Sequence, residues 1–364
     1  MYRDHTVGVV IPAYNEEGLI GSVIREMPGY VDRMFVVDDC SSDGTWEEVL
    51  EAAREDGGVS EAFVDASGQS LEYAQEVRTD DDDIQTDGGG ALAERASVHD
   101  FVGRVLPIEH RENLGAGGAI KTGYLAANDD GVDITVTVDG DGQMDLSQMP
   151  RLLDPIVEDE ADYAKANRLL SREYREEMPS FRLFGNAMLT VLTKVSSGYW
   201  KTMDPQNGYT AISSDALEAV ELDRLYEYYG YCNDLLVKLN VRGMRVADVA
   251  MPAKYGEEES SIEYTTFIRK VSGMLLRNFL WRLTSKYLVT DFHPLALLYF
   301  FGAGLSGIGV LAGLWTLYAA IIQGTSLFAN GVASLALFSI GVFFLLLAMI
   351  YDMQESEDRE LQIV

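Results

Sequence analysis

The sequence predicts an α/β protein, a doubly wound and mostly parallel sheet with helices on both faces, followed by two membrane-spanning helices. Three observations carry that prediction. Short β-branched runs that stop at polar clusters recur through residues 7–138, each followed by a helix-forming stretch, which is the pattern of buried parallel strands with functional loops at their carboxyl ends. One such run, Thr135-Val136-Thr137-Val138, stops at Asp139-Gly140-Asp141-Gly142-Gln143. Residues 295–322 and 332–351 hold no charged side chain, and each is long enough to cross ~30 Å of hydrocarbon as a helix.

The elements follow in order. A strand over 7–12 leads through Pro12-Ala13-Tyr14-Asn15-Glu16 to a helix over 17–26. A strand over 34–37 ends in Asp38-Asp39-Cys40-Ser41-Ser42-Asp43-Gly44-Thr45, and a helix covers 45–53. A strand over 104–109 leads to Asn113-Leu114-Gly115-Ala116-Gly117-Gly118 and a helix through 121–128. Strand 134–138 then carries the Asp-x-Asp loop. Residues 56–100 break the alternation; with four consecutive aspartates at 80–83 and three glycines at 88–90, they read as a solvated, partly disordered insertion.

Gly115 to Thr122 nearly matches a phosphate-binding P-loop, but Ile120 stands where the second glycine must be, and its side chain blocks the close backbone approach. The same residue defeats a dinucleotide fingerprint. What remains is a glycine turn opening a helix, able to admit a nucleotide and to aim Lys121 at it.

Fifty-eight acidic against 28 basic residues give the 364-residue chain a net charge of −30. That charge repels nucleic acid phosphates and excludes polynucleotide partners. The acids are spread along the chain, as on the surface of a salt-adapted, haloarchaeal protein. Cys40 and Cys232 have no zinc-site spacing, so a reducing compartment without disulfides is expected. The charged first six residues and the short apolar run behind them lack the form of a signal peptide.

Ahead of the first apolar stretch lie Arg269, Lys270, Arg277, Arg282 and Lys286, whereas the linker at 323–331 has no Lys or Arg. The positive-inside rule then places the N-terminal domain and the C-terminal tail in the cytoplasm, making this a multi-pass cell-membrane protein. Over residues 264–289, Phe267, Val271, Met274, Leu275, Phe279 and Leu283 recur at helical spacing with basic residues between them. This is an amphipathic helix suited to anionic membrane lipids, or else one packed on the soluble domain.

An Asp-x-Asp alone is often just a tight turn. On a flexible strand-end loop, its oxygens also suit Mg²⁺ or Mn²⁺ bridging nucleotide phosphates. The motifs at 12–16, 36–45, 113–118 and 139–143, in that order, resemble the inverting family 2 glycosyltransferases of GT-A fold, and more closely the dolichyl-phosphate mannose/glucose synthase branch with C-terminal membrane helices. The resemblance implies a GT-A domain over 1–263, a juxtamembrane helix over 264–290, two spans over 291–353 and a cytoplasmic tail over 354–364. It implies that Pro12, Tyr14, Glu16 and Asp39, with Lys121 and Asp139, bind a UDP- or GDP-hexose, and that Asp139, Asp141 and Gln143 hold the metal. It also implies that Arg168, Arg182, Asn186, Asp204 and Gly208 form the acceptor site for a polyprenyl (dolichyl) phosphate. Asp141, Asp234, Arg168 and Lys254 then become the catalytic candidates, Lys254 from a loop that closes over the diphosphate. Such an enzyme would feed protein or lipid glycosylation.

Asn233 stands where the family has an acid, and the 254–262 loop is unusually acidic. Two other readings stay open: transfer to a hydroxyl of a lipid-linked glycan, with Asp234 as base, and a catalytically inactive nucleotide-binding membrane scaffold. A polysaccharide synthase would need a Gln-x-x-Arg-Trp motif ahead of its spans, where this chain reads Arg277-Asn278-Phe279-Leu280-Trp281-Arg282.

Overall fold

The computed structural model describes residues 1–57, 89–170, 180–252, 264–290, 292–326 and 328–364. Among them the sheet has nine strands: β1 (Val7–Ala13), β2 (Arg33–Asp38), β3 (Ala96–Val98), β4 (Val105–His110), β5 (Ile134–Thr137), β6 (Tyr163–Asn167), β7 (Thr210–Ser213), β8 (Val246–Ala250) and β9 (Glu360–Ile363). Their order is β3-β4-β2-β1-β5-β7-β6-β8-β9. Strands β4, β2, β1 and β5 are parallel, whereas β7 runs antiparallel to both β5 and β6. The sheet is therefore mixed.

The helices, in chain order, are α1 (Ile20–Arg25), α2 (Thr45–Asp56), α3 (Gly89–Arg95), α4 (Ala116–Asp130), α5 (Met149–Val157), α6 (Ser180–Ser197), α7 (Ser214–Ala219), α8 (Tyr231–Val241), α9 (Tyr264–Thr284), α10 (Pro294–Gln323) and α11 (Phe328–Ser356). Alternate residues of β1 serve opposite faces, as strand geometry requires. Val7, Val9 and Ile11 join a core with α1, α2 and α5, and Val10 joins Phe35 and Val37 in a second core with α4 and α8. Burial on both faces is why these strands read as continuous apolar runs.

Several expectations change. Residues 58–88 of the expected insertion lie outside the described residues, but its C-terminal part forms α3 and β3, which pairs antiparallel with β4. The residues read as a tail end in β9, parallel to β8 at the sheet edge.

Helix α9 does not lay its apolar stripe on the surface. Val271, Met274 and Leu275 are buried against Leu189 of α6 and Tyr226. Leu283 is buried with Tyr287, Leu295, Tyr299 and Ala348. Arg282, expected among the lipid-facing basic residues, is fully buried.

Helices α10 and α11 form an antiparallel hairpin that is long and apolar enough to cross a membrane. Only 28% and 17% of their most apolar windows are buried within the molecule, far less than a soluble core helix would show.

Candidate active site

The site is assembled at the carboxyl ends of β1, β2 and β5. The Asp-x-Asp loop is tied to β1, since Val138 N donates to Val10 O (3.0 Å) and Gly140 N to Pro12 O (3.2 Å). The turn after β1 is in turn knitted to the loop after β2. Asn15 N donates to Ser41 Oγ (2.9 Å), Ser42 N to Asn15 Oδ1 (2.8 Å) and Glu16 N to Thr45 Oγ1 (2.7 Å). Pro12 and Glu16 are therefore fixed, and the Tyr14 ring stands 49% exposed beside them.

One open cleft is lined by Asp139, Asp141, Gln143, Arg168 and Gly208. Asp141 Oδ1 accepts from Gln143 N (2.9 Å). A Cβ at Gly208 would sit 3.3 and 3.4 Å from the two Asp139 carboxylate oxygens, so glycine keeps that wall clear of the carboxylate. Burial, with the neighbouring charge of Asp141, pushes the Asp139 carboxyl up to about 7 against the opposing pull of Arg168.

Arg168 grips Asp204 with Nε (2.7 Å) and Nη2 (2.8 Å), and its backbone N–H reaches the same carboxylate (3.0 Å). Burial works against ionisation of Asp204, yet the hydrogen bonds and charge of Arg168, aided by Lys165, hold its carboxyl below the ordinary value. The pair is a fixed, oriented guanidinium at the cleft wall.

Other expected site residues stand elsewhere. Lys121 does not face the cleft: Nζ donates to Asp223 O (2.7 Å) and Glu227 Oε1 (3.0 Å). The glycine turn admits the chain itself, because a Cβ at Gly117 would lie 2.7 Å from Tyr226 O. Asp39 is buried and holds that turn in place, taking His110 Nδ1 (2.7 Å), Leu114 N (2.8 Å) and Gly115 N (2.8 Å). Two of these bonds fall on Oδ1 and one on Oδ2, so the carboxylate ties β4 and the 113–115 turn to the end of β2.

Asp234 is likewise buried, receiving Tyr226 N (3.0 Å), Asn278 Nδ2 (2.5 Å) and Lys238 Nζ. It joins α8, the 226 turn and α9, a structural post and not a base in the cleft. Asn233 does reach the cleft, through Gln206. Arg182 and Asn186 lie on α6 with side chains outside the described residues, as does all of Lys254.

Sequence reasoning missed Asp145, Gln148, Met251 and Pro252 in the cleft lining. Asp145, four residues past Asp141, was visible as a third nearby carboxylate. It caps the following turn, taking Ser147 N (3.1 Å) and Oγ (2.7 Å).

Among the described residues no group of three or more His, Cys, Asp or Glu side chains could hold a metal ion. The donor set is nonetheless suited to Mg²⁺ or Mn²⁺, which commonly take one or two carboxylates and complete their shell with substrate phosphates. A buried Tyr231 hydroxyl without a partner lies beside the same wall, 3.5 Å from a Cβ at Gly208.

Strand-end loops thus set two carboxylates and a fixed arginine around one cleft of an α/β fold. The chain belongs to glycosyl transferase family 2, whose family model matches residues 8–62 and 77–220, and it is a glycosyltransferase. It is 26% identical over 255 residues to the UDP-N-acetylglucosamine–dolichyl-phosphate N-acetylglucosaminyltransferase of Methanococcus voltae, covering 70% of this chain and 88% of that one. It is 28% identical over 209 residues to the polyprenol monophosphomannose synthase of Mycolicibacterium smegmatis, covering 55% and 72%. Among solved structures, glucosyl-3-phosphoglycerate synthase from Mycobacterium tuberculosis superposes with a TM-score of 0.48 at 18% identity, over 77% of this chain and 80% of that one.

Proposed function

We propose that this chain is a membrane-anchored hexosyltransferase of GT-A type. It moves a sugar from a UDP- or GDP-sugar to a polyprenyl (dolichyl) phosphate at the cytoplasmic face, with inversion at the anomeric carbon. The carrying observation is the cleft that sets Asp139 and Asp141 opposite an arginine locked by Asp204. The names of the relatives, which specify dolichyl phosphate and polyprenol, support the acceptor class.

Asp139, Asp141 and Gln143 would hold Mg²⁺ or Mn²⁺, which neutralises charge on the departing nucleoside diphosphate. The tied loops after β1 and β2 bind and orient the nucleoside, with Tyr14 against the base. Arg168, held in one orientation, pairs with the acceptor phosphate as guanidinium does best. An acceptor oxygen forms the bond to the anomeric carbon while the bond from that carbon to the diphosphate breaks. A phosphate monoester is already anionic near neutral pH, so no side chain must take its proton. The engaged state of Asp234 accords with this reading.

Helix α9 enters the α10–α11 hairpin from the catalytic domain, and β9 returns to that domain. Both ends of the hairpin thus lie on the domain's side, which supports two spans, and the basic residues ahead of the first one favour the cytoplasmic side for the site.

The test incubates membranes containing the protein with dolichyl phosphate and radiolabelled UDP-N-acetylglucosamine, UDP-glucose or GDP-mannose. Organic-extractable, mild-acid-labile label is expected from one donor. Label found only on pre-existing lipid-linked glycan would overturn the acceptor assignment.

A further inference from the structure

The residues beyond the apolar hairpin make a set of buried contacts that the proposed chemistry does not use. Glu360, on β9, is 8% exposed. Its Oε1 accepts from Trp200 N (2.8 Å), and its Oε2 accepts from Lys201 N (2.6 Å) and Thr202 N (3.0 Å). The next amide, Met203 N, donates to Asp248 Oδ2 (3.0 Å) on β8. Two buried carboxylates from neighbouring strands therefore take four consecutive backbone amides. Gln362 Nε2 donates to Lys201 O (2.7 Å) and Lys201 Nζ to Glu357 O (3.0 Å), closing the clamp from the other side.

The clamped segment continues directly into the cleft. Asp204 fixes Arg168, Gln206 and Asn207 line the wall, and Gly208 abuts the Asp139 carboxylate. Asp204 itself has a φ of 49°, a left-handed conformation that a non-glycine residue holds only when its surroundings impose it. The surroundings are the bidentate arginine on one side and the clamped amides on the other. Buried N–H groups released from an acceptor are costly, so the 200–203 turn has one position while Glu360 is present.

We infer that Glu360 is a positioning residue for the active site. From beyond both apolar helices it sets the 200–208 loop, and through that loop the placement of Arg168 and the space around Asp139. The carboxylate acts through the 200–202 segment, by three backbone amides and the Thr202 hydroxyl (3.4 Å), and the reacting groups are out of its reach.

The test compares the full-length protein with Glu360→Ala and Glu360→Gln in detergent by hydrogen–deuterium exchange. In Glu360→Ala, amides 200–202 are expected to exchange at least about tenfold faster, and faster exchange should spread to 204–209 and 166–168 while β1 and β2 stay protected. Glu360→Gln, which keeps one carbonyl acceptor, should fall between. With the donor that labels dolichyl phosphate, kcat should drop on the order of tenfold, as misalignment of a cleft wall does, while the donor KM changes little.

Faster exchange confined to 200–202, with 204–209 as protected as before, would overturn the inference. So would a uniform loss of protection across the whole sheet, which marks a merely structural role. The exchange readout needs no substrate, so it stands or falls separately from the choice of donor and acceptor.

Discussion

Arg282 and Asp352 meet fork to fork with neither side chain exposed, Nη1 to Oδ1 at 2.8 Å and Nη2 to Oδ2 at 2.7 Å. Arg282 also donates to Ser196 O (2.8 Å) and Val195 O (3.0 Å) of α6, and Tyr287 donates to Asp352 Oδ1 (3.1 Å). The second apolar helix is thus bolted to the catalytic domain by one desolvated ion pair. Such a pair need not add net stability, but its partners depend on each other.

Removing one partner leaves a buried charge unmatched. Asp352→Ala is expected to lower stability by about 3–5 kcal/mol. The double variant Arg282→Met, Asp352→Leu should be markedly less destabilised than either single change. Denaturant melts in detergent check this; additive losses would mean that the two residues do not act as a pair.

Asp141 lies on a partly exposed loop outside the core, so Asp141→Ala should melt like the wild type. Transfer should fall at least about a hundredfold, because a charged metal ligand is worth several kcal/mol at the transition state. A variant that kept a tenth of wild-type turnover with Mn²⁺ would sink the metal assignment.

Arg168 and Asp234 should part company. Arg168→Ala removes the cleft cation and should raise the KM for dolichyl phosphate or cut turnover sharply, leaving nucleotide binding near normal. Asp234→Asn disturbs contacts to Tyr226, Asn278 and Lys238 and should cost about 1–3 kcal/mol of stability, with KM and kcat of the folded fraction little changed. A large, specific loss of kcat in Asp234→Asn would restore it as a base.

Burial and the charge of Asp141 push the Asp139 carboxyl up to about 7, so a proton there competes with a cation. Apparent Mn²⁺ affinity should rise roughly tenfold per pH unit up to about 7 and then level off, as one displaced proton requires. Calorimetric titration between pH 5.5 and 8.5, spanning that about-7 midpoint, would expose a flat profile. A flat profile would mean that Asp139 is ionised throughout and takes no part in the competition.

Strands β1, β2, β4 and β5 are legible because each is buried on both faces and reads as a short run of apolar or β-branched residues. Strand β6 is not: Lys165 and Asn167 are buried within it, paired with Asp248 of β8, and such long-range polar pairing leaves no local pattern. The antiparallel β7 and the last strand also depend on partners far along the chain. The Asp-x-Asp pair and Arg168 were found by motif order and do share the cleft. Asp39 and Asp234 read as ligand-facing by motif order and Lys121 by the glycine turn ahead of it, but their contacts to the 113–115 turn and the 223–227 segment depend on the fold. Helix α9 has a true apolar stripe, and periodicity cannot say whether lipid or protein covers it. The motifs alone would cut the soluble domain at residue 263, which would strip away β9 and the helix covering Leu189 and Tyr226.

The position of β9 also orders events during synthesis. Residues 360–363 leave the ribosome after both apolar helices, so the edge of β8 has no partner while those helices are being made. An open parallel edge invites pairing with other chains, and here it stays open until α10 and α11 are complete. Completion of the sheet is therefore a late step, and a nascent chain stalled within α11 would present a nearly finished catalytic domain with one unsealed side.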